Sequence, residues 1–153
     1  MNRRIVFISH IYPYGIGEKM FVCPELNILA QKYDIKLISS GTENCSDNDL
    51  NFLSKNSIEL KKYEGDVSIN NILNKRALRV AKSEIFKKEF LDIIHERKQI
   101  FTRLKTSFKF VYDGFRFAEW LEANYEISDG DVFYSYWYYS RALGLAILKD
   151  RHP

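Results

Sequence analysis

The apolar positions fall into short blocks at the two ends of the chain and into helical stripes between them. The first block, Ile5-Val6-Phe7-Ile8, holds three β-branched residues in four positions. A run this short and this apolar predicts a strand buried on both faces, the kind found at the centre of a parallel sheet. A polar and aromatic stretch follows from Ser9 to Tyr14, then Gly15-Ile16-Gly17-Glu18. Leu26, Leu29 and Ala30 lie at helical spacing, which predicts a helix from Glu18 or Pro24 to Tyr33, since proline is tolerated in a first turn. Ile35 to Ile38 is a second strand. A polar loop over Thr42 to Asp49 leads to a turn or two of helix over Asp49 to Asn56, with Leu50 and Leu53 facing inward. Ile58 to Tyr63 alternates at its start, a third strand nearer an edge.

From Ser68 to about Tyr125 there is no proline and almost no glycine. Helical stripes begin at Ile69, Ile72 and Leu73 and continue to Leu121. The stretch is too long for one globular helix, so two or three are expected, with a break between Glu96 and Thr106. Gly114 lies inside the last of them at a modest local cost. Asp131 to Trp137 is a fourth strand and Tyr138 to Asp150 a closing helix. This order predicts an α/β domain with a mostly parallel sheet, strand order 3-2-1-4 or extended, and a ligand site beyond the carboxyl ends of the strands. Val132-Phe133-Tyr134 is apolar for an outer strand. The expectation is that a neighbouring strand is missing, that the chain is a truncated fragment, and that it self-associates through this edge or the uncovered face.

Charge and composition narrow the classes. Among 153 residues, 23 Lys and Arg face 20 Asp and Glu, a net charge of +3. Averaged over the chain, that points away from nucleic acid. No stretch reaches the length of a membrane span, and no secretory leader pattern opens the chain, which suggests a cytoplasmic protein. Cys23 and Cys45 form neither a zinc pattern nor a disulfide framework, and His10, His95 and His152 form no metal constellation. Lys75, Arg79 and Lys82 share a helical face, with Arg76, Lys87 and Lys88 nearby. This is either a solvated face or a peripheral contact with an anionic membrane surface or lipid phosphate.

The candidate site is His10, Tyr12, Gly15, Gly17 and Glu18 after the first strand, with Tyr136 and Trp137 after the fourth. Gly15-Ile16-Gly17 is not the dinucleotide fingerprint, and six residues separate it from the strand. It suits a loop that brings bare backbone close to a sugar or phosphate, or else an ordinary flexible loop. Glu18 and Glu25 are two helical turns apart, available for acid/base chemistry or for capping a helix start. Alternation sends Tyr134 and Tyr136 to one side of the sheet and Ser135 and Trp137 to the other, as stacking platforms or as core.

Ile5-Val-Phe-Ile-Ser9, Tyr12-Pro-Tyr-Gly15, Gly17-Glu18 and Glu25 together resemble the opening of bacterial family 4 glycosyltransferases. Asp131-Val-Phe-Tyr-Ser-Tyr-Trp137 followed by Ala142-Leu-Gly-Leu-Ala146 is similar to a later block of the same amino-terminal domain. The resemblance implies a Rossmann-like three-layer α/β/α domain, one half of a GT-B fold, on the acceptor side of the cleft. It implies a nucleotide-sugar donor held by a second domain absent here, no metal, and no cofactor bound by this chain. The acceptor would be a sugar or glycolipid in the synthesis of a cell-surface polysaccharide or lipid-linked glycan. Gly15 and Gly17 would face the donor phosphates, and Tyr136 and Trp137 would line the cleft. The E-x7-E-type donor motif and the arginine–histidine block of the family have no counterpart, so no catalytic residue is carried over. The alternative is a stand-alone Rossmann-like ligand-binding or regulatory module without catalytic activity.

Overall fold

The structure, a computed structural model, describes residues 3–41, 43–65, 75–97 and 99–152. The stripe expected to open at Ile69, Ile72 and Leu73 lies outside them. Four strands, β1 (Arg4–Ile8), β2 (Asp34–Ser39), β3 (Glu59–Lys62) and β4 (Asp131–Ser135), form one all-parallel sheet in the order β3-β2-β1-β4. This is the Rossmann-like α/β arrangement that the sequence predicts. The helices are α1 (Lys19–Leu29), α2 (Asp47–Lys55), α3 (Lys75–Lys82), α4 (Glu84–Glu96), α5 (Ile100–Asn124) and α6 (Ser140–Arg151). The chain divides into two compact units, Met1–Glu64 with Glu126–Trp137, and Gly65–Tyr125 with Tyr138–Pro153.

The first unit holds the sheet. Ile5 and Phe7 of β1, Ile35 and Leu37 of β2, and Val22 and Leu26 of α1 form its core with Tyr12, Leu53 and Ile58. Pro24 lies inside α1 rather than opening it, and Glu18 is the residue before the first turn. On α2 the expectation is half met. Leu53 is buried but Leu50 is exposed, and Asp49 is buried in its place. The reason is ionic: Asp49 accepts from Ser46, the cap of α2, and pairs with Lys19 Nζ at 2.8 Å. Burial alone would raise the Asp49 pKa, but Lys19 and Ser46 outweigh it and hold the carboxyl below its ordinary value.

The outer strand β4 is pinned to β1 at its amino end. Arg4 makes a two-pronged contact with Asp131, Nε to Oδ1 at 2.6 Å and Nη2 to Oδ2 at 2.8 Å. Ser128 donates its N–H to the same carboxylate at 3.0 Å. Burial pushes the Asp131 pKa up, yet Arg4 and Ser128 prevail and set it below the usual aspartate value. On one face of β4, Val132 and Tyr134 remain exposed.

The second unit is helical. Val80, Val111 and Tyr112 form its core with Phe86, Phe108, Phe115 and Leu143 around them. The expected break falls between α4 and α5, where Arg97 and Gln99 take left-handed backbone conformations, φ 54° and 44°. Gly114 is more than a local cost, because it lets α5 and α6 cross closely. A Cβ on Gly144 would stand 2.8 Å from the Gly114 carbonyl oxygen and 2.9 Å from Phe117 Cδ1. A backbone oxygen cannot yield as a side-chain tip does.

Two outcomes follow. Gly144→Ala should lower stability in chemical denaturation by about 1–2 kcal/mol, overpacking exceeding the ~1 kcal/mol gain in helix propensity. Asp131→Asn should cost about 2 kcal/mol near neutral pH by stripping Arg4 of its carboxylate. A carboxyl with a lowered native pKa stabilises only while ionised. The gap between wild type and variant should therefore close as pH falls below about 3.9, the ordinary aspartate value.

Candidate functional site

The carboxyl end of the sheet is built around one side chain. β1 ends at Ile8, and the Ser9 N–H still bonds the Ile38 carbonyl of β2 at 3.0 Å. The N–H groups that follow have no strand to bond, and in a turn partly withdrawn from water such donors need a partner. Here the N–H groups of His10, Ile11 and Tyr12 all donate to Glu18 Oε2, at 3.0, 2.9 and 3.1 Å. Glu18 is itself buried. Ser9 Oγ closes the turn by donating to the Tyr12 carbonyl at 2.6 Å, and the Ser40 N–H and hydroxyl donate to the His10 carbonyl. Tyr12–Pro13 is a cis peptide bond. A turn that in many α/β sheets offers its amides to a phosphate is filled here by the protein's own carboxylate.

This corrects two expectations. Glu18 is a positioning residue of the loop, because its carboxylate is taken up by three amides. Tyr12 is not at the cleft. Its ring has 0% exposure and packs in the core. The Tyr12 hydroxyl is buried facing Cys23 and Asp49, with no partner at hydrogen-bond distance among the described residues, and burial drives its pKa far above the ordinary tyrosine value. Burial likewise raises the thiol pKa of Cys23 and of Cys45, the opposite of what a nucleophilic cysteine requires.

The remaining loop residues stay at the surface. His10 is exposed at the tip of β1, its backbone held on both sides. Gly17 is exposed, and among the described residues its N–H has no hydrogen-bond acceptor. Neither Gly15 nor Gly17 has positive φ, so backbone conformation does not demand glycine at either place. A Cβ at Gly15 would meet the tip of Ile11 at 2.8 Å, whereas at Gly17 the nearest atom lies 3.6 Å away. Tyr14 is lodged against Gly41, where a Cβ would stand 2.2 Å from Tyr14 Cβ, and Lys62 Nζ sits 4.7 Å from its ring centre.

The end of β4 reaches the same edge of the sheet. Ile8 is in register with Ser135, and the Tyr136 N–H donates to the Ile8 carbonyl at 3.1 Å. Tyr134 and Tyr136 both pack on Phe7, with ring centres 5.1 and 5.9 Å away, as alternation predicts. Trp137 departs from it. The strand ends at Ser135, whose hydroxyl donates to the Trp137 carbonyl at 2.8 Å and bends the chain. Trp137 therefore turns back to the α1 side. Its ring stands edge-on between Tyr136 at 5.1 Å and Phe21 at 6.5 Å.

Phe21 escapes the sequence reading as a site residue, and Glu25 enters it only as a partner of Glu18. They lie one helical turn apart on α1 and meet β4 across the surface. Phe21 touches Trp137, and the Glu25 carboxylate faces the Tyr134 hydroxyl. Partial burial, and then that carboxylate, raise the Tyr134 pKa. The i, i+4 spacing of Phe21 and Glu25, continued to the exposed Ile28, was the available signal. The result is a row of aromatic rings, Tyr136, Trp137 and Phe21, with the Glu25 carboxylate facing the Tyr134 phenol on the same two elements. Among the described residues, no group of three or more His, Cys, Asp and Glu is placed to hold a metal ion.

A second concavity, about 450 Å³, lies within the helical unit between α4 and α5. Ile85, Ile93, Phe110 and Val111 line it, and its Arg103 is paired with Glu96. Glu89, Thr102, Thr106 and Ser107 also line it.

Glu18→Gln keeps the shape but offers one acceptor oxygen in place of a charged pair. Amide exchange at His10, Ile11 and Tyr12 should quicken at least tenfold, with about 1.5–3 kcal/mol lost in stability, in hydrogen-exchange and denaturation measurements. Comparison of the chain with protein-family models, with curated proteins and with solved structures gives no match.

Proposed function

We propose that this chain is the acceptor-side domain of a nucleotide-sugar-dependent glycosyltransferase, acting on a cell-surface polysaccharide or lipid-linked glycan. The observation that carries the reading is the meeting of the β1 loop with the β4 tip at one end of a parallel sheet. There Phe21 and Trp137 bracket a surface that also presents Glu25 and Tyr134. Saccharides suit such a surface, because the apolar face of a pyranose stacks on an indole while its hydroxyls bond a carboxylate and a phenol. The Glu18 plug supports the acceptor role as well. It occupies the amides that a dinucleotide-binding half would turn toward a pyrophosphate.

In this reading the donor is held by a second domain. Trp137 and Phe21 position the acceptor sugar, and Glu25 and Tyr134 orient its hydroxyls. The Gly17 N–H is assigned to offset negative charge developing on the leaving diphosphate. Bond-making would be assigned to groups brought by the partner domain and the substrates, and no residue of this chain is assigned as acid or base.

The test is saccharide binding by the chain, followed through Trp fluorescence and amide shifts with a panel of mono- and oligosaccharides. Binding should move the signals of Phe21, Glu25 and Trp137, and Trp137→Ala should weaken it at least tenfold, consistent with about 1.5 kcal/mol or more for a stacked ring. Gly17→Ala has room for its methyl and should leave the fold unchanged. Shifts confined to other surfaces, or nucleotide binding at the β1 loop with no saccharide binding, would overturn the reading.

A further inference from the structure

The small net charge conceals a steep imbalance. Residues 75–109 carry eleven Lys and Arg against four Asp and Glu, a net of +7 in a chain whose total is +3. The cations are interleaved with apolar side chains that have no core to enter. On α3, Lys75, Leu78, Arg79 and Lys82 follow i, i+3, i+4, i+7 spacing and so share one face, with Leu78 64% exposed. On α4, Lys87, Phe90, Leu91 and Ile94 repeat that spacing. Leu91 is 61% exposed, and Phe90 and Ile94 are exposed beside it. This strip is distinct from Ile93, the residue that α4 buries. Only Ser83, the cap of α4, separates the two helices. Phe101, at the start of α5, is 89% exposed, and Lys105 follows one turn later.

Ion pairs temper the charge without cancelling it. Arg76 and Arg79 share Glu119, Lys87 meets Glu84, and Arg103 meets Glu96. Two of those three acceptors, Glu84 and Glu96, already enter the count of four, and including Glu119 leaves +6.

We propose that α3 and α4 form a docking surface for an anionic lipid bilayer. Lys75, Arg79, Lys82 and Lys87 would lie among the headgroup phosphates, while Leu78, Phe90, Leu91 and Ile94 enter the interface. Scattered exposed apolar residues are ordinary, but here they recur in helical phase on helices that already bury another face. A second apolar face flanked by cations is what a helix lying in the membrane plane presents, and charge supplies the complementarity to anionic lipid. Nucleic acid is the weaker fit. Its bases reward flat rings for stacking, and the residues between the α3 and α4 cations include the aliphatic Leu78, Leu91 and Ile94. No helix among the described residues is long and apolar enough to cross a membrane, so the contact is peripheral. The inference does not depend on the sugar-transfer reading.

The experiment is co-sedimentation of the whole chain with vesicles of phosphatidylcholine, alone or with phosphatidylglycerol replacing part of it. Binding should require the anionic lipid and should drop sharply in about 1 M salt, where the screening length is about 3 Å. Replacing Lys75 and Lys82 with Gln should weaken it about fivefold for each charge removed. Leu91→Ser with Ile94→Ser should weaken it at least tenfold, since both side chains leave water on docking. Lys149→Gln on α6, outside both strips, should leave binding unchanged. Equal binding to both vesicles, binding to neither, retention by the Leu91/Ile94 variant, or preference for an RNA or DNA oligomer would each overturn the proposal.

Discussion

The structure of this chain turns on where three backbone amides go. The central strand β1 ends in a turn only partly open to solvent, and His10, Ile11 and Tyr12 present their N–H groups together with no neighbouring strand to receive them. Glu18 receives all three. A carboxylate bonded this way fixes two things at once: the path of the loop after β1 and the point at which α1 begins. The position of Phe21 and Glu25 follows, because both ride on the first turns of that helix. The same contact fills the amides that an α/β sheet most often turns toward a phosphate.

The outer strand is held at both ends by different means. At its amino end the bond is ionic, Arg4 gripping a nearly inaccessible Asp131 carboxylate. At its carboxyl end it is aromatic, running from Phe7 in the core through Tyr136 to Trp137 and Phe21 at the surface. A ladder of rings with its foot in a close-packed core gives a surface indole a defined orientation, which a lone exposed tryptophan would lack.

The strands, their order and their direction were legible because apolar blocks between turn residues leave few topologies open to a parallel sheet. The break before α5 was legible from length alone. Burial choices settled by ionic partners were less so. Asp49 displaced Leu50 from the interior because Lys19 reaches it from α1, a contact that no local pattern encodes, while Ser46, three residues earlier, caps the same helix. Tyr12 looked like a cleft residue because it stands in a polar loop. It is core because Glu18 folds that loop back over the sheet. Trp137 was placed on the wrong face because alternation stops where the strand stops, two residues earlier. In each case the missing information was a contact distant in sequence, or a strand end set by a single hydroxyl. In the helical unit, the charged run was visible from the start, but its apolar half was not. Leu91 and Ile94 fit a core stripe as well as a surface one until Ile93 is seen to be the buried residue.

The capture of the three amides by Glu18 can be measured directly by NMR, through scalar couplings across hydrogen bonds between the side-chain carboxyl carbon of Glu18 and the amide nitrogens of residues 10 to 12. The account predicts couplings to Ile11 and Tyr12, the first of these at the shorter distance, and amide shifts in the turn that do not move when inorganic phosphate is added. Couplings absent at both residues, with the turn amides shifting on phosphate, would contradict it.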